Sequence, residues 1–181
     1  MTAHDDRARL QTRAEEFLEG WASAPVVLCN RRLDVLASTA LAVSLSPGFA
    51  PGTNLARFAF LGPAEQREHP RWAEMATVTA GMLRESIDEH DHDRGVELII
   101  GELSTRSREF AEVWASTELE GRVTGSIRFD ETAAGAIGLS FTLLHLPGDA
   151  DDLLIAFAPV DQASRTALAA LRAAVPVVPE A

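Results

Sequence analysis

Near Gly121 the spacing of apolar residues changes from three-and-four to two, and that switch limits the folds open to this chain. Downstream, RVTGSIRF (122–129) places Val123, Ile127 and Phe129 on one side. IGLSFTLLHL (137–146) places Ile137, Leu139, Phe141 and Leu143 on one side, with Gly138, Ser140 and Thr142 opposite. LLIAFA (153–158) follows the polar turn PGDADD. Three alternating runs joined by short turns predict three antiparallel strands.

Upstream, the spacing is helical. Residues 5–22 carry Leu10, Ala14, Phe17, Leu18 and Trp21 on one face, and Pro25 stops that helix. PVVLCN and LDVLAS (25–30 and 33–38) read as two short strands around a turn at Asn30-Arg31, and 39–45 as a helical turn. SPGFAPG (46–52) reads as a loop from its Pro and Gly content. Asn54 caps a short helix carrying Leu55, Phe58 and Leu61, stopped by Gly62-Pro63. Residues 70–89 predict the strongest helix, with Trp72, Met75, Thr79, Met82, Leu83 and Ile87 along one stripe. A helix over 94–104 turns Val96, Ile99, Ile100 and Leu103 inward. Ser107 caps a further helix of about ten residues whose inner face carries Phe110, Val113 and Trp114. Asp161 or Ser164 starts a closing helix over 162–173.

Two strands, several helices and three strands predict an α+β fold: an antiparallel sheet of about five strands with helices packed largely on one face. The expected organisation is an N-terminal helix (1–23), one domain (24–175) and a tail (176–181). At 46% apolar and 24% charged residues, the 181-residue chain can bury a real core.

Composition excludes several chemistries. The sixteen basic residues are all arginine, so no lysine is there for a P-loop or a Schiff base. Tyrosine is absent, and Cys29 alone forms neither an internal disulfide nor a cysteine zinc site. Against 27 acidic residues the arginines are scattered, and the net charge of −11 disfavours direct nucleic-acid binding. The polar, acidic N-terminus is no signal peptide, and no apolar run reaches the roughly 18 residues of a membrane helix. A cytoplasmic protein is expected, and the alanine-rich, lysine-free composition suggests a high-GC bacterial genome.

Candidate sites are few. His90 and His92 in EHDHD (89–93) suggest a metal site, but an i, i+2 pair converges only on a strand, and this one ends a helix. A solvated loop is the preferred reading, and no metal is expected. His145 continues the inward series of its strand; it is either a polar pocket group or, as preferred, half exposed at the strand's edge. GLSFT has Thr142 where a nucleophile elbow needs glycine, and no GxGxxG occurs. No catalytic residue and no cofactor is nominated. The large apolar side chains are more informative. Phe58, Phe60, Trp72, Met75, Met82, Phe110, Trp114, Phe141 and Phe157 point inward by periodicity, toward a plain core or toward an apolar cavity between sheet and helices.

Three segments resemble the ligand-binding domain of MmyB-like transcription regulators: RRLDVLASTALA (31–42), NLARFAFLGPAEQREHPRWAEMA (54–76) and LSTRSREFAEVW (103–114). The second carries Asn54, Phe60, Pro63 and Trp72; the third, with Ser107, Phe110 and Trp114, is the most specific. The likeness runs from about residue 24 to 172. It implies a PAS-like sensory domain that binds an apolar, fatty-acid-like ligand centrally and signals to a helix-turn-helix DNA reader. The stretch before Ala24 is too short for that reader, so a fused reader or a separate regulator is the expected partner. Ser38-Thr39 and Phe129-Asp130-Glu131 depart from the family pattern. The expected ligand-binding residues are Phe110 and Trp114 as wall, Met75 and Met82 as adaptable lining, Phe141 as floor, and Phe58. Trp114→Ala is then expected to weaken binding more than it unfolds the domain. Two rival roles are a dimerisation or docking module using Leu10, Phe17 and Trp21, and a small enzyme on the same scaffold.

Overall fold

A computed structural model describes residues 16–63, 72–89, 93–116, 124–146 and 152–175. Its strands are β1 (Val26–Cys29), β2 (Val35–Ser38), β3 (Thr124–Thr132), β4 (Gly135–His145) and β5 (Leu153–Pro159). Its helices are α1 (Ala40–Leu45), α2 (Leu55–Leu61), α3 (Trp72–Glu89), α4 (Arg94–Arg106), α5 (Arg108–Trp114) and α6 (Gln162–Ala174). The strands form one sheet in the order β2-β1-β5-β4-β3, every pair antiparallel. The expected α+β class is observed, with the five-stranded sheet compatible with a PAS-like fold.

β4 and β5 meet with Phe141 opposite Phe157 and Leu143 opposite Ile155. β3 meets β4 with Ile127 opposite Leu139 and Phe129 opposite Ile137. Directly opposed residues share a face, so these side chains make one apolar surface under the helices. β1 is buried along its whole length. Val27 and Cys29 join the large core between sheet and helices. Val26 and Leu28 join a smaller one on the back of the sheet with Leu18, Ala37 and Leu154. Residues 16–19 are helical, and Leu18 is buried while Phe17 and Trp21 are exposed. The N-terminal stretch therefore turns Leu18 alone of these three into the sheet. Leu10 and Ala14 lie outside the described residues.

Local chemistry sets the helix ends. Asn54, Ser107 and Asp161 accept hydrogen bonds from the backbone N–H groups of Arg57, Phe110 and Ser164, capping α2, α5 and α6. Asn54 does more. Its amide also donates to the Arg32 carbonyl at 2.7 Å and to Asp34 Oδ1 at 2.9 Å. Asp34 Oδ2 in turn accepts from the Asn30 amide at 3.0 Å. This net pins the β1–β2 turn to the start of α2. It holds Leu33 at φ 62, a left-handed conformation that costs a branched side chain roughly 1–2 kcal/mol. Burial of the Leu33 side chain offsets that cost.

Three boundaries differ from those read in the sequence. SPGFAPG contains a 3-10 turn at Pro47–Phe49 capped by Ser46, and Phe49 is buried in the core. Helix α5 ends at Trp114, after seven residues. β3 and β4 extend toward one another through a tight turn, where Gly135 at φ +86 reverses the chain. Asp130 and Glu131 on this outermost strand are exposed, so the period of two fades from the sequence there.

Candidate functional site

Between α3 and the β3–β4–β5 half of the sheet lies an apolar cavity of about 60 Å³. It has room for roughly four to six water-sized groups. Helix α3 contributes Glu74, Met75, Val78, Thr79 and Met82, one helical face. Leu55, Phe58 and Ala59 of α2 close one end together with Ser46, Gly48 and Phe49 around the 3-10 turn. The floor is Ser126 and Ile127 of β3, Phe141 of β4, and Ile155 and Phe157 of β5.

Two glycines position the rings of this wall. A Cβ on Gly48 would lie 2.5 Å from the Phe58 ring, and one on Gly125 would lie 2.6 Å from the Phe141 ring. Each ring therefore packs against bare backbone, and a methyl at either glycine would force its phenyl group to move. Beyond the floor, Phe49 packs on Phe157 with ring centres 5.4 Å apart, and Phe129 meets both. These edge-on and tilted contacts fix the floor as a rigid unit.

The expected site residues divide into two groups. Phe58, Met75, Met82 and Phe141 border the cavity. Phe110 and Trp114 do not border it: they belong to an aromatic column involving α2, α3 and α5. Phe60 meets Trp72 edge-on at 5.8 Å and Phe110 at 4.9 Å. Phe110 stacks on Trp114 at 5.3 Å, and the Arg84 guanidinium covers the Trp114 ring at 4.5 Å. Arg84 Nη2 also donates to the Trp114 carbonyl, and the Trp72 indole N–H donates to the Ala59 carbonyl. Phe110 is fully buried. Val78, Phe49 and Phe157 line the cavity, and Phe110 and Trp114 lie outside its lining. Phe157 was legible as an inward aromatic. Phe49 was hidden in a Pro-Gly segment, and Val78 stands one residue from the stripe that period analysis picks out.

Helix α3 explains the division, because it is apolar on two sides. Ala76, Ala80 and Leu83 are fully buried, while Met75, Val78 and Met82 face the void. The flexible methionines stand where space remains.

The other candidates lie apart. His145 is exposed at the end of β4, with Nε2 3.7 Å from Glu85 Oε1. Of EHDHD, residues 90–92 lie outside the described residues. Asp93 caps α4 and pairs with Arg31. Burial alone raises the Asp93 pKa, but the Gly95 and Val96 amides and the arginines Arg31 and Arg32 outweigh it and hold it below the usual range. No metal-holding cluster of His, Cys, Asp and Glu occurs among the described residues. Burial, reinforced by Asp34 and Asp152, pushes the Cys29 thiol far above its ordinary pKa, so no reactive thiolate forms there near neutral pH. Among the described residues no helix is long and apolar enough to cross a membrane.

The family described as the MmyB-like transcription regulator ligand binding domain matches this chain over residues 10–171. No curated protein matches it. The matched span begins inside the stretch read as a separate N-terminal helix, and the burial of Leu18 against the sheet is consistent with that.

Proposed function

The chain belongs to the family of MmyB-like transcription regulator ligand-binding domains, and on that premise we propose that it is a bacterial, cytoplasmic sensory domain for a small apolar or amphipathic molecule with a fatty-acid-like chain. The observation that carries this reading is the apolar cavity beneath α3. Ligand fills it; the signal passes to a DNA-binding domain or a separate regulator. Membership in a family of ligand-binding domains speaks for binding rather than catalysis.

The size of the cavity suggests the mechanism. About 60 Å³ is too small for a long chain, so occupancy requires Met75 and Met82 to change rotamer and α3 to shift on the sheet. A ligand that binds the widened arrangement better populates it, and the surface presented by α3 and its neighbours changes with it. Extraction of the purified chain with organic solvent, followed by mass spectrometry, tests this. A reproducible amphiphile near one per chain is the expected result. Failure to find one, together with no saturable uptake of alkyl probes, sinks the proposal.

A second reading is favoured by one observation. Phe17 and Trp21 are 45% and 37% exposed on the N-terminal stretch, which suits contact with a second copy of the chain. Sedimentation velocity of the Phe17→Ser, Trp21→Ser double variant tests it: the wild type is expected to sediment as a dimer and the variant as a monomer. Equal sedimentation coefficients end that reading.

A further inference from the structure

One hydroxyl on the cavity wall is oriented by its own helix, and its proton direction limits what it can recognise. Thr79 lines the cavity from α3 and is only 8% exposed. Its Oγ1 donates to the Met75 carbonyl, one turn back, at 2.8 Å. A hydroxyl has one proton and two lone pairs. That proton is committed to the helix, so toward a ligand Thr79 Oγ1 can only accept. Valine would fill the same space with no polar atom, and a threonine bonded back to its own helix does not strengthen that helix. The hydroxyl thus adds acceptor capacity to a face otherwise offering Met75, Val78 and Met82. At the end closed by the 3-10 turn, Ser46 is the complement: its Oγ accepts from the Gly48 amide and keeps its own proton to donate. Of the remaining polar lining residues, Ser126 is exposed and Glu74 is already engaged.

We propose that Thr79 is a specificity-determining residue that recognises a hydrogen-bond donor on the ligand, and that the ligand is a neutral aliphatic alcohol, an assignment that rests on the ligand-binding function proposed above. The alcohol O–H donates to Thr79 Oγ1, and its chain contacts Met75, Val78, Met82 and Phe141. The chain supplies affinity, as burial of each methylene does in any apolar cavity. The head supplies selectivity. An ether or ketone has no proton to give, so entering here it strips water from the Thr79 oxygen and replaces it with nothing. An ionised carboxylate also has only acceptors, and burying its charge costs more still.

The test uses the full chain and three probes: 1-hexanol, its isomer methyl pentyl ether, and hexanoate, near neutral pH. All are short enough to need little opening of the cavity. Binding is followed by NMR through the Met75 and Met82 methyl signals, which report occupancy of the cavity itself. 1-Hexanol is expected to bind about fivefold or more tightly than the ether, with hexanoate weakest. The isomers share size and a neutral oxygen, and both can accept from Ser46, so the difference isolates the donated proton. Thr79→Val is expected to weaken 1-hexanol and leave the ether nearly unchanged, narrowing the gap to about twofold or less. Thr79→Ser, which keeps the acceptor, is expected to retain the preference; this pattern separates recognition from a general loosening of α3. Equal binding of the two isomers, hexanoate binding as tight as 1-hexanol, or a preference that Thr79→Val leaves in place overturns the proposal. Saturable binding of the isomers without preference removes the role of Thr79 but keeps the ligand-binding function. No saturable binding of any of the three removes both.

Discussion

Phe110→Ala is expected to lower the folding stability by about 3–5 kcal/mol, read as a shift in the urea midpoint at unchanged slope. The ring is fully buried, lies 4.9 Å from Phe60 and stacks at 5.3 Å on Trp114. Removing it leaves a void with aromatic walls on two sides, and neither neighbour can close it without breaking its own contacts: Phe60 is held against Trp72, and Trp114 lies beneath the Arg84 guanidinium. The folded fraction of the variant is expected to bind alkyl probes as the wild type does, because Phe110 does not border the cavity. The same geometry reverses the expectation that Trp114→Ala weakens binding more than stability. Trp114 is now expected to cost stability first. A variant of either residue that stays fully stable and loses ligand would return that ring to the site.

Val78→Phe is the counterpart. Val78 borders the void from α3 and is only partly buried. A phenyl group here occupies the space an alkyl chain needs. Affinity for such a chain is expected to fall at least about tenfold, or about 1.4 kcal/mol. The ring has a void to enter, so the stability cost stays below about 3 kcal/mol, the usual ceiling for overpacking. Titration of an alkyl probe and a thermal melt on the same preparation read both quantities. Unchanged affinity in a folded variant would place the ligand elsewhere. The pair of variants gives opposite signatures: stability without affinity change for the aromatic column, affinity without collapse for the cavity.

Most of the secondary structure was legible because it depends on residues a few positions apart. Asn54 and Ser107 were readable as caps, and Asp161 as one of two alternatives with Ser164; Asn54, Ser107 and Asp161 each accept the N–H that the position predicts. Ile137, Leu139, Phe141 and Leu143 alternate in sequence and are all buried in the same core. The cavity was legible only in part. Met75, Met82, Phe58 and Phe141 border it, whereas Phe110 and Trp114, assigned to it from inward spacing together with the family resemblance, do not. Spacing says that a side chain faces inward. It does not say which interior a helix with two apolar sides offers to that side chain.

The sequence by itself determined the periods of the elements, their caps and the α+β class. Hydrogen bonds to the third residue along, and side chains recurring every two or every three to four residues, are settled within a short stretch of chain. Tertiary structure decided the rest. It inserted β1 between β2 and β5, brought Gly48 and Gly125 against the Phe58 and Phe141 rings, and set α3 so that Ala76 and Ala80 are fully buried while Met75, Val78 and Met82 face a void. Those outcomes depend on how well shapes distant in sequence fill space together, and a cavity is the volume they leave unfilled.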